Sequence, residues 1–308
     1  MAALVEEYLA HRRSMGFALR IEAGQLRGFA RHADEVGHRG PLTVDLIARW
    51  ATVAGRRPRR CPGRRLDCVR PFARYRAAID SANEIPPAGL LGFRRRPVLH
   101  VYTESEIHAL VAAARRFALG TSLRSSTYAT LFGLLAACGL RISEALRLVR
   151  QDVDLDQAVI TIRATKFRKT RLVPLHATTV TAMRAYALRR DCIVRCPSAS
   201  TFFVTDHGAP LRYGTVGRIF GQLRTQLGWA TMDPRPRIHD LRHAFACRRL
   251  QQWYVEGADV AARLASLATY LGHAHITDTY WYLTGTPELL GIAAERFERF
   301  AGYDGGAR

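Results

Sequence analysis

Residues 131–144 read Leu-Phe-Gly-Leu-Leu-Ala-Ala-Cys-Gly-Leu-Arg-Ile-Ser-Glu, and this stretch determines how the second half of the chain folds. The apolar run over 131–140 is too short for a membrane span, which needs about 20 residues. It instead predicts the end of a central buried helix over 125–138. Gly139 ends this helix because glycine readily adopts the left-handed conformation of a helix terminus. Arg141 then lies in a turn held against an apolar body.

The rest of the second half is predicted to be helical with a small antiparallel sheet. Thr103 and Glu106 have the spacing of a capping box, which begins a helix that runs to about Leu119. Ser143 is expected to cap a short helix over 144–149. Apolar patterning predicts strands over 159–162 and 171–175, a possible third strand over 201–204, and helices over 215–227, 239–254 and 260–271. The predicted fold class is therefore mainly α with a small antiparallel sheet, α+β.

The first part of the chain, residues 1–97, is predicted to form a separate helical domain. Apolar residues recur at helical spacing in four clusters, which predict four or five short helices. A stretch rich in proline and glycine, ending in Arg94-Arg95-Arg96-Pro97, then marks the boundary with a second domain over 98–308. In that second domain, an apolar stripe over 287–300 predicts a last helix. This helix could pack on its own domain or on a neighbouring protomer.

The charge of the chain indicates a polyanionic partner. The 308 residues include 46 Lys and Arg against 26 Asp and Glu, giving a formal net charge of +20, while 48% hydrophobic residues provide enough material for folded cores. We expect double-stranded DNA as the partner. Candidate DNA contacts, for which a solvated charged surface is the alternative, are Arg59, Arg60, Arg64, Arg65, Arg94, Arg95, Arg96, Arg168, Lys169 and Arg171.

Neither a signal peptide nor a transmembrane helix is expected, because no basic and then apolar leader begins the chain and no apolar run is long enough. The six cysteines form no Cys-x-x-Cys pair, which favours reduced thiols over disulfides or structural zinc. We therefore expect a cytoplasmic protein.

Five short patterns that carry chemistry follow one another in the second half. They are Cys138-Gly-Leu-Arg-Ile-Ser-Glu144, Thr165-Lys166 before Arg171-Leu-Val-Pro-Leu175, His239-Asp-Leu-Arg-His243, Leu271-Gly-His273 and Thr279-Tyr-Trp-Tyr282. Together they resemble the tyrosine recombinase (phage integrase) family. The resemblance covers the whole second domain, 98–308, and the helical first domain, 1–97, resembles the core-binding, DNA-clamping domain of that family.

The residue types suit chemistry at a phosphodiester. Guanidinium groups are good donors to the non-bridging oxygens, where negative charge develops during attack, and Arg141 and Arg242 are the candidates. Arg242 follows His239 by three residues, so on a helix their side chains share a face. The resemblance implies that His239 handles a proton and that His273 donates to a phosphate oxygen. The alternative for each histidine is a structural role with satisfied hydrogen bonds.

The resemblance also assigns the nucleophile and the proton donor. The family spacing from His273 selects Tyr282 as the nucleophile, which leaves Tyr280 as a packing residue. Lys166 corresponds to the family's general-acid lysine, and Lys169, the only other lysine of the chain, is the competing assignment. A lysine can give up its proton within reach of neutral pH, which an arginine cannot do.

The resemblance implies a site-specific recombinase or integrase that acts in DNA integration or transposition, with four protomers on two DNA sites. Such an enzyme needs no metal, ATP or other cofactor, and would work on the nucleoid of a bacterium or on the DNA of a phage or mobile element. The alternatives are a relaxase like type IB topoisomerases and a non-catalytic DNA-binding accessory protein. A metal-dependent nuclease is disfavoured because His239 and His243 are not part of a His-Glu-x-x-His pattern.

Overall fold

The computed structural model describes residues 1–53, 62–92, 98–117, 122–163, 170–195, 199–273 and 275–280, together with the separate positions 291, 294, 295 and 298. By its internal contacts the chain divides into two compact units, Met1–Pro97 and Val98–Arg308.

Among the described residues of the first unit there are four helices. Their bounds are α1, Ala2–Ser14; α2, Arg20–Glu35; α3, Val44–Thr52; and α4, Pro62–Ile79. The core is formed by the apolar positions whose spacing predicts these helices, such as Leu9, Leu26, Ile47 and Phe72, all of them buried. Phe29 packs edge to face on Trp50, with ring centroids 5.5 Å apart. Periodicity alone therefore predicts this unit, because each helix buries one apolar face against the others.

The second unit is a helical body that carries a small sheet. Its helices are α5, Glu104–Arg116; α6, Arg124–Cys138; α7, Ile142–Arg147; α8, Ala177–Ile193; α9, Tyr213–Gln226; α10, Ile238–Val255; α11, Val260–Leu271; and α12, Thr277–Tyr280. The strands are β1, Val153–Asp154; β2, Val159–Ile162; and β3, Arg171–Pro174, antiparallel in the order β1-β2-β3. Helix α6 is buried on most of its faces and packs against α5, α8 and α10.

Several local predictions for this unit are confirmed. Thr103 and Glu106 form both hydrogen bonds of the capping box at the start of α5. Gly139 ends α6 with φ +61°, in the left-handed region. Helices α9, α10 and α11 lie within one or two residues of their predicted bounds, and β2 and β3 pair as a hairpin with Ile160 opposite Val173. The α+β fold class is confirmed.

Two local predictions are wrong. The N-terminal cap of α7 is Arg141 and not Ser143, since the Glu144 side chain accepts from the Arg141 backbone N–H. Residues 201–204 form only isolated bridges, and the third strand is the two-residue β1, too short to leave a periodic pattern. Helix α8 has no counterpart among the predicted elements. The predicted helix over 287–300 falls almost entirely outside the described residues.

Within the part of the chain that the structure describes, no helix is long and apolar enough to cross a membrane. The same described residues contain no group of three or more His, Cys, Asp or Glu side chains that could hold a metal ion.

The turn at Gly139 allows a test of how closely the Phe245 side chain packs against the backbone there. A Cβ at Gly139 would lie 2.5 Å from Cδ1 of Phe245, whereas a Cβ at Gly228, at φ +74°, would meet nothing within 4 Å. Both Gly139→Ala and Gly228→Ala place a side chain on left-handed backbone, which costs stability in each case. Only Gly139→Ala adds a steric clash, which is with the Phe245 ring. We therefore expect Gly139→Ala to lower the free energy of unfolding by about 1–3 kcal/mol more than Gly228→Ala, measured by urea titration. Equal losses would contradict the tight packing of Phe245 on this turn.

Candidate active site

Four segments of the second unit meet at the carboxyl end of α11. They are the turn between α6 and α7 with Arg141, the start of β3 with Arg171, the first turns of α10 with His239 and Arg242, and the end of α11 with Leu271 and His273. Two reasons bring them together. The helices α6, α10 and α11 bury apolar faces against one another, and polar side chains then satisfy the exposed ends of these helices.

The Glu144 carboxylate joins two of these segments. Its side chain is 2% exposed and accepts from Nη1 of Arg141 at 2.9 Å, from Nη1 of Arg171 at 3.2 Å and from Nη2 of Arg171 at 2.8 Å. It also accepts from the backbone N–H of Arg141 at 3.0 Å. Burial would raise the pKa of this carboxyl, but the Arg171 and Arg141 hydrogen bonds outweigh it and hold the pKa of Glu144 at about 2. The group is therefore a carboxylate at neutral pH.

The backbone carbonyls at the end of α11 are bound by two arginines. Arg141 donates from Nη2 to the Gly272 carbonyl at 2.9 Å, and Arg242 donates from Nη2 to the Leu271 carbonyl at 2.7 Å. Arg242 also donates from Nη1 to the Gly139 carbonyl at 2.9 Å, so its guanidinium links the ends of α6 and α11. These carbonyls lie at the negative ends of two helix dipoles, where cations are favourable. Arg242 is 1% exposed, whereas the Arg141 side chain is 28% exposed.

Gly272 lets two guanidinium groups approach the backbone. Its φ is +68°, and a Cβ at this position would lie 2.7 Å from Nη1 of Arg171 and 3.5 Å from Nη1 of Arg141. The glycine is therefore required both for its backbone conformation and for the space that the arginines occupy. This explains why a Gly precedes His273 in the sequence.

The first turn of α10 presents two histidines. The ring centroids of His239 and His243 are 4.7 Å apart and the rings are perpendicular at 84°. Asp240, between them in sequence, is fully buried and accepts from the Arg237 side chain and backbone, which caps α10. The capping bond fixes the start of the helix. The spacing of 239 and 242 then places His239 and Arg242 on the same side of α10.

The third histidine is held by a threonine. His273 Nδ1 and Oγ1 of Thr279 are 2.7 Å apart, and the tautomer of the ring decides which atom donates. Thr279 lies in α12 and is fully buried. This contact orients the His273 ring.

Burial, together with nearby positive charge, depresses the pKa of all three histidines. Partial burial, followed by Arg242, lowers the pKa of His239, although the residue as a whole is exposed to solvent. Burial, His239 and Arg242 lower the pKa of His243 to about 3. Burial, Arg242 and Arg141 lower the pKa of His273 to about 4. All three rings are therefore neutral at pH 7, so they can accept as well as donate a proton.

The structure thus brings together four of the six residues assigned to catalysis: Arg141, His239, Arg242 and His273. Lys166 and Tyr282 lie outside the described residues, as do most of the assigned DNA contacts: Arg59, Arg60, Arg94, Arg95, Arg96, Arg168 and Lys169.

The remaining predicted residues lie in different surroundings. Arg64 is exposed on α4, and Arg65 packs its guanidinium 4.2 Å from the Trp50 ring centre while donating to the Val53 carbonyl. Arg171 was expected on the surface of the hairpin, but its side chain is 9% exposed and bound to Glu144. Tyr280 was expected to pack, and this is wrong: it is 47% exposed at the end of α12.

Two residues of the site have no individual role in the sequence-based assignment. Thr279 was quoted only as part of a motif, and His243 only as a metal ligand that was disfavoured. The sequence does contain a signal for Thr279, because a hydroxyl six residues after a histidine can hydrogen-bond to that histidine across a tight turn. The Glu144–Arg171 pair has no local signal, since 27 residues separate its members.

Comparisons with known proteins agree on one family. The model of the phage integrase family matches residues 100–288. The putative integrase/recombinase y4rB of Sinorhizobium fredii is 43% identical, covering 96% of this chain and 96% of that protein. The tyrosine recombinase XerC of Nitrobacter winogradskyi is 29% identical over 90% of this chain and 75% of that protein. In fold, the chain is similar to the Tn1549 transposon integrase in complex with transposon right end DNA, with TM-score 0.68 and 16% identity over 97% and 99% of the two chains.

The low pKa of His243 makes a prediction about stability. Because the ring is neutral when folded and has an ordinary pKa of 6.5 when unfolded, the unfolded chain binds the extra proton and stability falls as the pH drops below 6.5. Between about pH 7 and about pH 5 this costs about 2 kcal/mol for one such histidine. In His243→Gln we expect the acid-dependent loss of unfolding free energy, measured by urea titration, to be smaller by up to that amount. An unchanged loss in His243→Gln would show that His243 is protonated in the folded state.

Proposed function

The chain belongs to the phage integrase family, and from this membership we propose that it is a site-specific recombinase that cleaves and rejoins strands of double-stranded DNA. One observation carries the assignment of the site: Arg141, Arg242 and two neutral histidines converge on the end of α11. A phosphodiester under attack needs cationic donors for its oxygens and a group that can accept a proton, and this arrangement supplies both.

The two arginines divide the work at the phosphate. Arg141 keeps part of its guanidinium at the surface, so we assign it the direct contact with a non-bridging oxygen. Arg242 is buried and binds the backbone carbonyls at the ends of α6 and α11. We therefore assign it a supporting role, in which it holds these two helix ends together and its positive charge stabilises the phosphate without direct contact. His273, whose ring is oriented by Thr279, would donate a hydrogen bond to a second oxygen. Preorganised donors of this kind favour the transition state over the bound substrate.

Tyr282 is the proposed nucleophile. Its phenolic oxygen would form a bond to the scissile phosphorus while the bond to the 5′ oxygen breaks, leaving a 3′-phosphotyrosyl link and a 5′-hydroxyl. The phenol loses its proton in this step, and neutral His239 is the proposed acceptor. The 5′-hydroxyl of a partner strand then attacks the phosphorus of this link, which forms a new phosphodiester bond and releases the Tyr282 phenol. The phosphodiester energy is conserved throughout, so the chemistry requires no ATP.

Lys166 is the proposed proton donor to the leaving 5′ oxygen. In sequence it falls between β2 and β3, and β3 begins with Arg171, which lies at the site. A lysine amine near several guanidinium groups gives up its proton more readily than one in water. Lys169 remains the competing assignment.

We propose that both units bind the duplex, with the first unit as the core-binding domain, and that four protomers act on two DNA sites. The net charge of +20 supports contact with an extended polyanion. The XerH recombinase and the Tn1549 integrase, whose folds this chain shares, are described in complexes with DNA. The place of action would then be the nucleoid of a bacterium or the DNA of a phage or mobile element.

The first test is a covalent adduct. Full-length protein, incubated in EDTA with a nicked suicide duplex that carries its target site, is expected to form a protein–DNA adduct that survives denaturation. Tyr282→Phe should form none, while the matched control Tyr280→Phe, which alters the nearby exposed phenol, should form it at the normal rate. An equal adduct from Tyr282→Phe, or no adduct from the unaltered protein on its own site, would contradict the proposal. Relaxation of supercoiled plasmid without strand exchange would instead indicate a relaxase.

The second test addresses the proton donor. Lys166→Ala is expected to cleave an ordinary phosphodiester about 100-fold or more slowly, because general acid catalysis contributes roughly that factor. A substrate with sulfur in place of the 5′ bridging oxygen needs little protonation of its leaving group and should restore most of the rate. Lys169→Ala is the matched variant, and we expect it to cleave both substrates alike. Rescue of Lys169→Ala and not of Lys166→Ala would reverse the assignment.

A further inference from the structure

Arg171 is buried beside the proposed phosphate site. Its side chain is 9% exposed, it occupies the first position of β3, and both of its Nη atoms donate to Glu144. We propose that Arg171 is a positioning residue for strand cleavage, which shares the Glu144 carboxylate with Arg141 so that Arg141 keeps its charge and its orientation for the substrate phosphate. This inference rests on the proposed function.

The guanidinium groups of Arg141, Arg171 and Arg242 surround the end of α11, and Glu144 is the buried carboxylate that accepts from two of them. With Arg171 present, both Glu144 oxygens are engaged by Arg171 and the pair is neutral by itself. The charge of Arg141 is then not cancelled. It remains available to an anion.

The hydrogen bonds agree with this division. Arg141 gives Glu144 only Nη1, at 2.9 Å, and turns Nη2 to the Gly272 carbonyl. Without Arg171, a buried carboxylate would have Arg141 as its remaining guanidinium partner, and an arginine pairs with a carboxylate most strongly through two parallel bonds. Arg141 would then rotate towards Glu144. Both its charge and its Nη2 position would be lost to the phosphate.

The surroundings of Arg171 disfavour a role as a simple DNA contact. Its strand is held in register by pairing with Ile162, and its guanidinium fills the space that a Cβ at Gly272 would need. A group packed between Gly272 and Glu144 cannot reach out to a phosphate as a surface arginine does. Its effect on DNA passes through Arg141.

The test separates charge sharing from stability and from DNA binding. Single-turnover cleavage of the suicide substrate is measured at saturating protein for Arg171→Gln, Arg171→Lys, Glu144→Gln and the double variant Glu144→Gln/Arg171→Gln. The matched control is Arg163→Gln. Arg163 directly follows β2 and, like Arg171, pairs with a buried carboxylate, here that of Asp152. Thermal unfolding and the salt dependence of DNA affinity are recorded for each.

We expect Arg171→Gln to slow cleavage of bound DNA by about 10- to 100-fold, as loss of a supporting partner commonly does. Arg171→Lys keeps the positive charge and should lose less. The double variant removes the carboxylate that would capture Arg141, so it should cleave at least several-fold faster than Arg171→Gln alone. The control Arg163→Gln should cleave at the normal rate. The slope of affinity against salt should not change in any of them.

Three results would overturn the inference while the unaltered protein still forms its adduct. Normal cleavage by Arg171→Gln would remove any positioning role. A double variant no faster than Arg171→Gln would show that charge sharing is not the cause. A salt slope smaller by about one, with normal cleavage at saturation, would make Arg171 a phosphate contact. Failure of the unaltered protein to form any adduct would instead reject the proposed function itself.

Discussion

The buried Glu144 carboxylate is the constraint on which the rest of the site depends. Removing a carboxylate from water is costly unless hydrogen bonds and opposite charges replace the water, and here Arg141 and Arg171 do so. Because these arginines come from the turn after α6 and from the start of β3, satisfying one charge joins two distant parts of the chain. Arg141 also donates a hydrogen bond to the Gly272 carbonyl, which connects the end of α11 to these two segments. Hydrogen bonds and ion pairs between buried polar groups thus hold the site together, while the packing of apolar side chains forms the helical scaffold that carries it.

The same assembly determines the protonation of the site. Guanidinium groups gathered around one carboxylate leave an excess of positive charge. Burial, reinforced by that charge, lowers the pKa of His239 and brings that of His273 to about 4. A protonated imidazole would add to the repulsion, so the neutral form is selected. Neutral rings can serve as proton acceptors, which a nucleophilic phenol with an ordinary pKa near 10 requires. In the proposed mechanism, the charge that would attract the phosphate therefore also helps to keep the proton acceptor neutral.

The sequence predicts those parts of the molecule that depend on local rules. Helical periodicity, the capping box at Thr103 and the glycine at 139 each act over a few residues, so the helices around the site and the turn that carries Arg141 can be found without coordinates. The order of the motifs resembles that of a known family, and this resemblance assigns Arg141, His239, Arg242 and His273 to one site. Arg171 was assigned to DNA instead, because nothing local links it to Glu144, 27 residues away. Long-range charge pairing leaves no periodic pattern.

The basic character of the chain has two physical origins that composition alone cannot separate. An exposed arginine such as Arg64 on α4 adds to a diffuse field that attracts DNA and is screened by salt. Arg171 and Arg242 are shielded from solvent, and each is held by fixed acceptors. Salt screens such groups much less, so their influence on a bound phosphate persists where the diffuse attraction has faded. Affinity and cleavage should therefore depend on different arginines, since the first responds to the number of exposed charges and the second to the geometry of a few buried ones.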